Sequence, residues 1–427
     1  MKIYPLNQFP VLFNNNHETF QSLGLPCTTP NMEGHTLTEE ELKGERKLIS
    51  LEFNWLPTEV ALAYNAAETE KEKYKVLVER VYGNCKLNCK GCYAKQDDLF
   101  KGHNLLTPAQ ILELIKESVE KLGTKTLKYL GPSEFFRDKE VFDHLDAIEK
   151  LNVTLNVFVK DPLFGDDAAV EELFGHLGLH TAEQFVEKLS SYKFLRLIYN
   201  FRSFDSELTN DLVRGGYKGK ADYNEDYKTV QTRSLQLLYK HFTLPELEAH
   251  CESRLVIVNT PIVQDTINEA LEIFQYFIDR GVPVCSTTSM QSGCGGKLYN
   301  ELDNDFMGKF SRFYIQANTH AIKRGLITQK YLEKYGPSPY AGTTHCMQLS
   351  NGLLIRETGQ LMRCPGADNK EWRDDITPEE LLNNGIEWAW KKSINFNQKG
   401  SINIGCLAKP RVFTPEFIQL VKDKIEF

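Results

Sequence analysis

The sequence contains no run of about 18 consecutive apolar residues, which a helix needs to cross a bilayer. Its first seven residues lack the apolar stretch of a secretory signal peptide. The chain also has fewer basic than acidic residues, 50 lysines and arginines and 58 aspartates and glutamates, so its formal net charge is -8. Proteins that bind nucleic acids usually present a basic surface. We therefore expect a cytoplasmic protein with neither a membrane nor a nucleic acid as its partner.

Internal repeats and low-complexity tracts are likewise missing from the 427 residues. Hydrophobic residues make up 41% of the chain, enough for a sizeable packed core rather than disorder. This length suits two or three domains. We predict an N-terminal extension over 1–75, an α/β core over 76–300 and a small α+β domain over 301–427.

Ten cysteines are present, and three of them follow the spacing C-x3-C-x2-C at Cys85, Cys89 and Cys92. In a long chain without a signal peptide, cysteines are more often metal ligands or buried thiols than disulfides. Three thiols are one short of the four that close a structural zinc site or an ordinary iron–sulfur site. No second C-x2-C pair follows at zinc-finger distance, so the spacing favours a metal centre with one open position.

Predicted strands and helices alternate from residue 76 to about residue 290, which indicates six β/α units and a parallel sheet. The predicted strands are 76–82, 127–130, 153–159, 194–199, 254–258 and 282–286. In such sheets the chemistry lies at the carboxyl ends of the strands. The alternation alone does not distinguish a doubly wound sheet from a barrel.

Three further segments carry expectations of their own. Residues 49–55 alternate apolar and polar side chains, which predicts a half-buried strand within the extension. Two long loops, 161–179 and 215–224, interrupt the core. Such loops either grip a substrate at the catalytic face or form mobile surface excursions.

The cysteine loop resembles the cluster loop of the radical S-adenosylmethionine (SAM) family. The resemblance implies a partial (β/α)6 barrel of the TIM type in which Cys85, Cys89 and Cys92 hold a [4Fe–4S] cluster, with SAM on the fourth iron. It further implies an electron from a reductase such as flavodoxin or ferredoxin, a 5′-deoxyadenosyl radical and abstraction of a substrate hydrogen. The family has an aromatic residue where this chain has Gly91, so Tyr93 takes the predicted packing position.

Other segments resemble the family's SAM-contact motifs. Gly131, Pro132, Ser133 and Glu134 follow the second predicted strand, where a glycine allows close backbone approach and a carboxylate suits an ammonium. The same resemblance points to three further SAM contacts, Lys160, Arg202 and Ser203. Each of these residues could alternatively belong to an ordinary turn or solvated loop.

The segment from Cys346 to Cys364 has the spacing C-x12-G-x4-C, with Gly359 at the glycine position. It resembles the opening of the SPASM/Twitch extension, and Cys406 supplies a third thiol. The resemblance implies one auxiliary [4Fe–4S] cluster, although Lys409 stands where the family commonly has a further cysteine. The fourth ligand stays open between His345, Cys294 and substrate, and the alternative is three unrelated thiols.

Cys294 stands between glycines after the sixth predicted strand, where it could donate a hydrogen atom, bind iron or be a plain loop thiol. Cys27, Cys251 and Cys285 are predicted to pack as small buried hydrophobes.

The resemblance implies an enzyme that modifies a ribosomally made peptide by crosslinking, epimerisation or oxidation, with a separate leader-peptide recognition protein as a conceivable partner. A radical SAM dehydrogenase or epimerase of a sugar or aminoglycoside-like molecule is the alternative. A non-catalytic metal-binding protein is the remote one.

Overall fold

The structure is a computed structural model, and it describes residues 46–82, 85–93, 100, 103–214, 227–243, 254–366, 374, 376–397 and 406–425. The predicted loop 215–224, Cys27 and Cys251 lie outside the described residues. Among the described residues, no helix is both long and apolar enough to cross a membrane.

The strands are β1 Ser50–Asn54, β2 Thr126–Leu130, β3 Thr154–Val159, β4 Leu195–Asn200, β5 Leu255–Ile262, β6 Val284–Thr288, β7 Gly352–Ile355 and β8 Leu361–Met362. The helices up to β5 are α1 Thr58–Ala66, α2 Glu70–Val76, α3 Pro108–Glu117, α4 Val141–Glu149, α5 Asp167–Phe174, α6 Ala182–Ser190, α7 Ser206–Arg214 and α8 Tyr227–Phe242. The later helices are α9 Ala270–Ile278, α10 Gly295–Asn300, α11 Asn304–Lys323, α12 Gln329–Tyr335, α13 Gln348–Asn351, α14 Pro378–Lys392, α15 Ile394–Asn397 and α16 Pro415–Lys424.

All eight strands form one sheet in the order β6-β5-β4-β3-β2-β1-β7-β8. Every neighbouring pair from β6 to β7 is parallel, and β8 alone is antiparallel to its neighbour β7. The strands β1 to β6 therefore follow one another in space as they do in sequence. A doubly wound sheet reverses its strand order at a switch point, whereas a barrel does not. The order is that of a partial (β/α)6 barrel, which resolves the alternative that the sequence left open.

The predicted first strand, 76–82, is wrong. These residues belong to the end of α2 and to a π-helix, Leu77–Tyr82. Leu77 and Val81 are buried while the three residues between them are exposed, which is helical spacing. The first strand is β1, the segment that the alternation in 49–55 predicted for the extension. Its five residues are all buried, because helices and neighbouring strands cover both of its faces.

The predicted loop 161–179 is also largely helical. A 3-10 turn, Pro162–Gly165, precedes helix α5. Asp161 accepts a hydrogen bond from the Leu163 amide at 2.8 Å, and Asp166 accepts one from the Ala169 amide at 3.1 Å. These caps satisfy backbone groups at the start of each helical turn, so the prediction of a long loop over 161–179 is wrong.

Several helices begin with a threonine cap and a glutamine or glutamate three residues later. Thr107 accepts a hydrogen bond from the Gln110 amide while the Gln110 side chain accepts one from the Thr107 amide, and Pro108 occupies the first helical position. The same reciprocal arrangement starts α14 at Thr377 and Glu380. It satisfies two amide groups that the helix itself leaves without partners.

The C-terminal hairpin joins the sheet of the core. Strand β7 pairs in parallel with β1, and β8 turns back against β7 after Gly359, whose φ is +85°. The segment between Cys346 and Cys364 therefore contains a hairpin that extends the sheet beyond β1.

His144 lies on the outer side of the sheet in an aromatic cluster. Its ring is 4.3 Å from the Trp55 ring, and its Nε2 is 2.7 Å from the Tyr129 hydroxyl. Burial lowers the pKa of His144 from 6.5 to about 3. The folded protein thus resists protonation of a ring that the unfolded chain protonates below pH 6.5, so its stability falls as the pH is lowered.

We expect the free energy of unfolding of the wild type to fall by about 1.4 kcal/mol more than that of His144→Gln between pH 7.5 and pH 5.5. Urea unfolding followed by circular dichroism at the two pH values measures this difference. Asp138 and Asp374, whose pKa values burial raises to about 6, titrate in both proteins and cancel in the comparison. Equal pH dependence in the two proteins would contradict the assignment.

Candidate active site

A cavity of about 570 Å³ opens at the carboxyl ends of the barrel strands. Its size is typical of a small-molecule site. Both predicted cysteine groups line it: Cys85, Cys89, Cys92, Cys346, Cys364 and Cys406. So do seven of the predicted SAM contacts: Tyr93, Gly131, Pro132, Ser133, Glu134, Lys160 and Arg202. The sheet order explains this, because the ends of consecutive parallel strands meet at one edge.

The cysteine loop is held by backbone hydrogen bonds to two other parts of the chain. The amides of Asn88 and Lys90 donate to the carbonyls of Val213 and Leu212 in α7, at 2.7 and 3.1 Å. On the other side, the Cys92 carbonyl accepts a hydrogen bond from the Cys294 amide at 2.9 Å. The loop is therefore fixed from both sides, even though it does not directly follow a strand.

Gly293 lets the segment after β6 approach the cysteine loop. Its φ is +53°, and a Cβ built on it would lie 2.3 Å from the Tyr93 carbonyl oxygen and 2.8 Å from that of Cys92. Neither the conformation nor the space admits another residue without displacement. The Ser-Gly-Cys-Gly-Gly segment thus serves as a backbone support for the loop.

Glu134 lies beside the first cysteine group. Its Oε1 is 3.6 Å from the Cys85 Sγ. Burial raises the pKa of the Cys85 thiol, and the Glu134 carboxylate and the thiols of Cys89 and Cys92 raise it further. The three thiols are therefore close enough to influence one another, and a thiolate form calls for positive charge at this end of the cavity.

Positive charge is available from Lys160 and Arg202. The Lys160 Nζ is 3.3 Å from the Cys89 Sγ. Burial and the nearby Arg202 lower the pKa of Lys160 to about 8, against the opposing effect of Cys89. Arg202 is buried and its Nε donates to the Asn200 Oδ1 at 3.1 Å. The two cations stand where the sequence predicted contacts to SAM.

The second cysteine group surrounds Tyr340. Burial raises the pKa of the Tyr340 phenol, and the thiols of Cys346, Cys406 and Cys364 raise it further. Burial together with Cys406 raises the pKa of Cys364 to about 12. Three cysteines distant in sequence therefore lie close enough to Tyr340 to affect its pKa.

Ser203 and Cys294 are the two predicted site residues that do not line the cavity. The Ser203 hydroxyl is bound to the Glu269 carboxylate, at 3.0 and 2.9 Å from its two oxygens. It also accepts a hydrogen bond from the Asp205 amide at 2.9 Å. Ser203 therefore braces the turn into α7 and lies outside the cavity that the other predicted SAM contacts line. Cys294 contacts the cysteine loop through its backbone amide.

The cavity wall also contains a buried ion pair that was not predicted from the sequence. Glu52 in β1 faces Lys128 in β2, with 2.5 Å between Oε1 and Nζ, and both side chains are almost fully buried. A charged residue in the middle of an otherwise apolar strand, as in Leu-Lys-Tyr-Leu, is the signal that could have found it. Gln348, which also lines the cavity, carries no comparable signal.

The donor sets of the cavity consist of thiols. Every one of the six cavity cysteines is a free thiol. Among the described residues, no group of three histidine, cysteine or carboxylate side chains is arranged to hold a single metal ion. Cysteine thiolates are the usual protein ligands of iron–sulfur clusters. By donor chemistry, Cys85, Cys89 and Cys92 would hold one such cluster, and Cys346, Cys364 and Cys406 carry the same donor type.

Cys285 packs as predicted. It is buried in a small cluster with Ile198, Val256 and Val258, against which Tyr340 packs, and Cys285 itself is not among the residues that line the cavity. Cys285 therefore belongs to neither of the two cysteine groups.

No protein-family model matches this sequence, and no curated protein matches it. Among solved structures, the chain is similar to Streptococcus suis SuiB bound to precursor peptide SuiA, with 13% identity and a TM-score of 0.48 over 82% of this chain and 66% of that chain. It is also similar to SuiB bound to S-adenosylmethionine, with 12% identity and a TM-score of 0.43 over 75% and 60% of the two chains. For SuiB alone the identity is 13% and the TM-score is 0.45, over 79% of this chain and 65% of that chain. This chain spans less than two thirds of the length of those SuiB chains.

Proposed function

We propose that this protein is a cytoplasmic radical SAM enzyme with one auxiliary [4Fe–4S] cluster, and that its substrate is a ribosomally made peptide. The observation that carries the proposal is the single cavity lined by both cysteine groups and by seven residues predicted to contact SAM. Each cysteine set has three thiols and so leaves one ligand position of a four-iron cluster open, and both sets line the same cavity. This arrangement suits a reaction that links two redox centres through a substrate.

The first cysteine group defines where SAM binds in this proposal. When bound there, a [4Fe–4S] cluster supplies the electron that cleaves SAM into methionine and the 5′-deoxyadenosyl radical, which takes a hydrogen atom from the substrate. In this proposal Glu134 meets the methionine ammonium, and Lys160 and Arg202 meet its carboxylate. A reductase such as flavodoxin or ferredoxin provides the electron.

The cavity wall favours a peptide side chain over a sugar. A sugar buries many hydroxyl groups, and each needs a hydrogen-bonding partner. Several polar groups of the wall are already engaged, Glu52 with Lys128 and Arg202 with Asn200. The remaining wall includes apolar and aromatic residues, among them Pro337, Pro339, Tyr340, Phe413 and Ile418. An apolar side chain of a peptide suits this part of the wall, while Gln348 and Lys409 offer polar contacts elsewhere in the same cavity.

Anaerobic reconstitution tests the proposal. We expect about eight irons per chain, the number in two [4Fe–4S] clusters. We also expect reductant-dependent formation of 5′-deoxyadenosine from SAM, measured by liquid chromatography and mass spectrometry. A protein that takes up zinc and does not cleave SAM would instead be a non-catalytic metal-binding protein, and the proposal would be wrong.

A further inference from the structure

Gln348 is a cavity-lining residue with an unpartnered carboxamide. The residue lines the cavity and its side chain is 2% exposed. Among the residues that the structure describes, neither its Nε2 nor its Oε1 has a hydrogen-bond partner. Its backbone carbonyl is fixed by the Asn395 amide group at 3.0 Å, so the residue itself is anchored. A buried donor and acceptor left open side by side cost free energy unless a ligand satisfies them.

Lys409 presents a cation to the same cavity. It is 1% exposed, and its Nζ lies 5.0 Å from the centre of the Tyr340 ring. Within the described ranges, no carboxylate lies within ion-pair distance of this ammonium group. A buried ammonium of this kind calls for an anion, because burial without a partner penalises the charge.

We propose that Gln348 and Lys409 bind the substrate peptide, Gln348 through a backbone amide and Lys409 through the carboxylate of an aspartate or glutamate. A carboxamide offers one donor face and one acceptor, which matches the C=O and N–H groups of a peptide backbone. Ammonium and carboxylate form a charge-assisted hydrogen bond, and the Tyr340 ring holds the ammonium in position.

The position of the two residues fits this assignment. Gln348 is two residues from Cys346, and the charge of Lys409 is felt by the Cys364 thiol, which places both beside the second cysteine group. The acidic residue of the substrate would therefore lie on that side of the cavity, away from Lys160 and Arg202. This inference rests on the peptide substrate proposed above.

The test uses reconstituted holoenzyme and two fluorescein-labelled pentapeptide pools, capped at both ends. One pool carries glutamate at the central position and the other glutamine, with the same mixture of uncharged residues elsewhere. Fluorescence polarisation under anaerobic conditions measures binding. We expect wild-type enzyme to bind the glutamate pool about tenfold more tightly, the size of one charge-assisted hydrogen bond.

Three variants separate the contributions. Lys409→Met is expected to bind the two pools within twofold of each other, while Lys392→Met, at an exposed position of α14, keeps the tenfold preference. Gln348→Leu should weaken binding of both pools by about fivefold to tenfold and retain the preference, because a neutral hydrogen bond is worth about 1 kcal/mol. Iron content is measured for each variant, so that loss of a cluster is recognised.

Several outcomes would overturn the inference. If Lys409 only offsets thiolate charge, Lys409→Met shifts the reduction potential of the auxiliary cluster and leaves the preference for glutamate unchanged. Equal binding of the two pools by the wild type contradicts the carboxylate contact, and binding of neither pool contradicts the peptide substrate. Formation of 5′-deoxyadenosine without peptide is followed in parallel. Its persistence shows that the radical SAM assignment stands even where the peptide inference fails.

Discussion

Replacing Cys85, Cys89 and Cys92 together by alanine is expected to abolish reductive cleavage of SAM while about half of the iron, roughly four atoms per chain, stays bound. The physical reason is that the two cysteine groups are separate ligand sets. The first group is coupled to Glu134 and Lys160, whereas the second surrounds Tyr340. Removing one set leaves the thiols of the other in place. Iron analysis and the 5′-deoxyadenosine assay measure the two effects on the same sample.

A matched control uses a cysteine outside both groups. Cys285→Ala removes a buried thiol that packs against aliphatic side chains, so a small loss of stability is expected with full iron and full SAM cleavage. The reciprocal variant, with alanine at Cys346, Cys364 and Cys406, should also keep about half of the iron and still cleave SAM. Loss of all iron from the first triple variant would contradict an independent second cluster.

Gly293→Ala is expected to release the first cluster without touching any cysteine. An L-residue at a φ of +53° costs about 1–2 kcal/mol. The added methyl group would also lie 2.3 Å from the Tyr93 carbonyl oxygen, an overlap that must push the cysteine loop away. Overpacking of this kind costs about 1–3 kcal/mol. We therefore expect loss of SAM cleavage and of about half of the iron, as in the cysteine variant.

Gly308→Ala provides the matched control. Gly308 lies in α11, where a Cβ would meet only the Arg312 Nη1 at 3.9 Å, an ordinary contact. Alanine there should raise helix stability by about 0.5–1 kcal/mol and leave the iron content unchanged. Circular dichroism of both variants distinguishes a local effect on the loop from unfolding. If Gly293→Ala kept eight irons and full activity, the contact between the two loops would not position the cluster.

Much of the candidate site could be predicted from short-range sequence features. The C-x3-C-x2-C spacing brings three thiols together within one loop, so that their proximity depends little on the rest of the fold. Glu134 follows a strand that was correctly placed, and the end of a parallel strand lies at the catalytic edge whatever the surrounding helices do. The same reasoning placed Lys160 after β3 and Arg202 after β4.

The errors arose where two local patterns were equally compatible with the residues. The segment 76–82 has apolar residues that suit either a strand or a helix. It is helical because Leu77 and Val81 pack together with Tyr64 in a cluster of residues between 56 and 105. Ser203 forms a hydrogen bond with Glu269, which is distant in sequence. Neither the packing partners of Leu77 and Val81 nor the partner of Ser203 can be identified from spacing, because each contact depends on how separate elements pack.

The alternation of strands and helices and the two cysteine sets could be recognised along the chain, because they depend on periodicity and on short spacings. Three relations required the folded chain: that β1 is the strand at 50–54, that the strands lie in sequential order, and that the C-terminal hairpin pairs with β1. The tertiary structure alone brought Cys346, Cys364 and Cys406 into the cavity of the first group and left Gln348 and Lys409 lining it. These relations join residues that are far apart in the chain. They depend on parallel strand pairing and on side-chain burial, and both exist only once the barrel has formed.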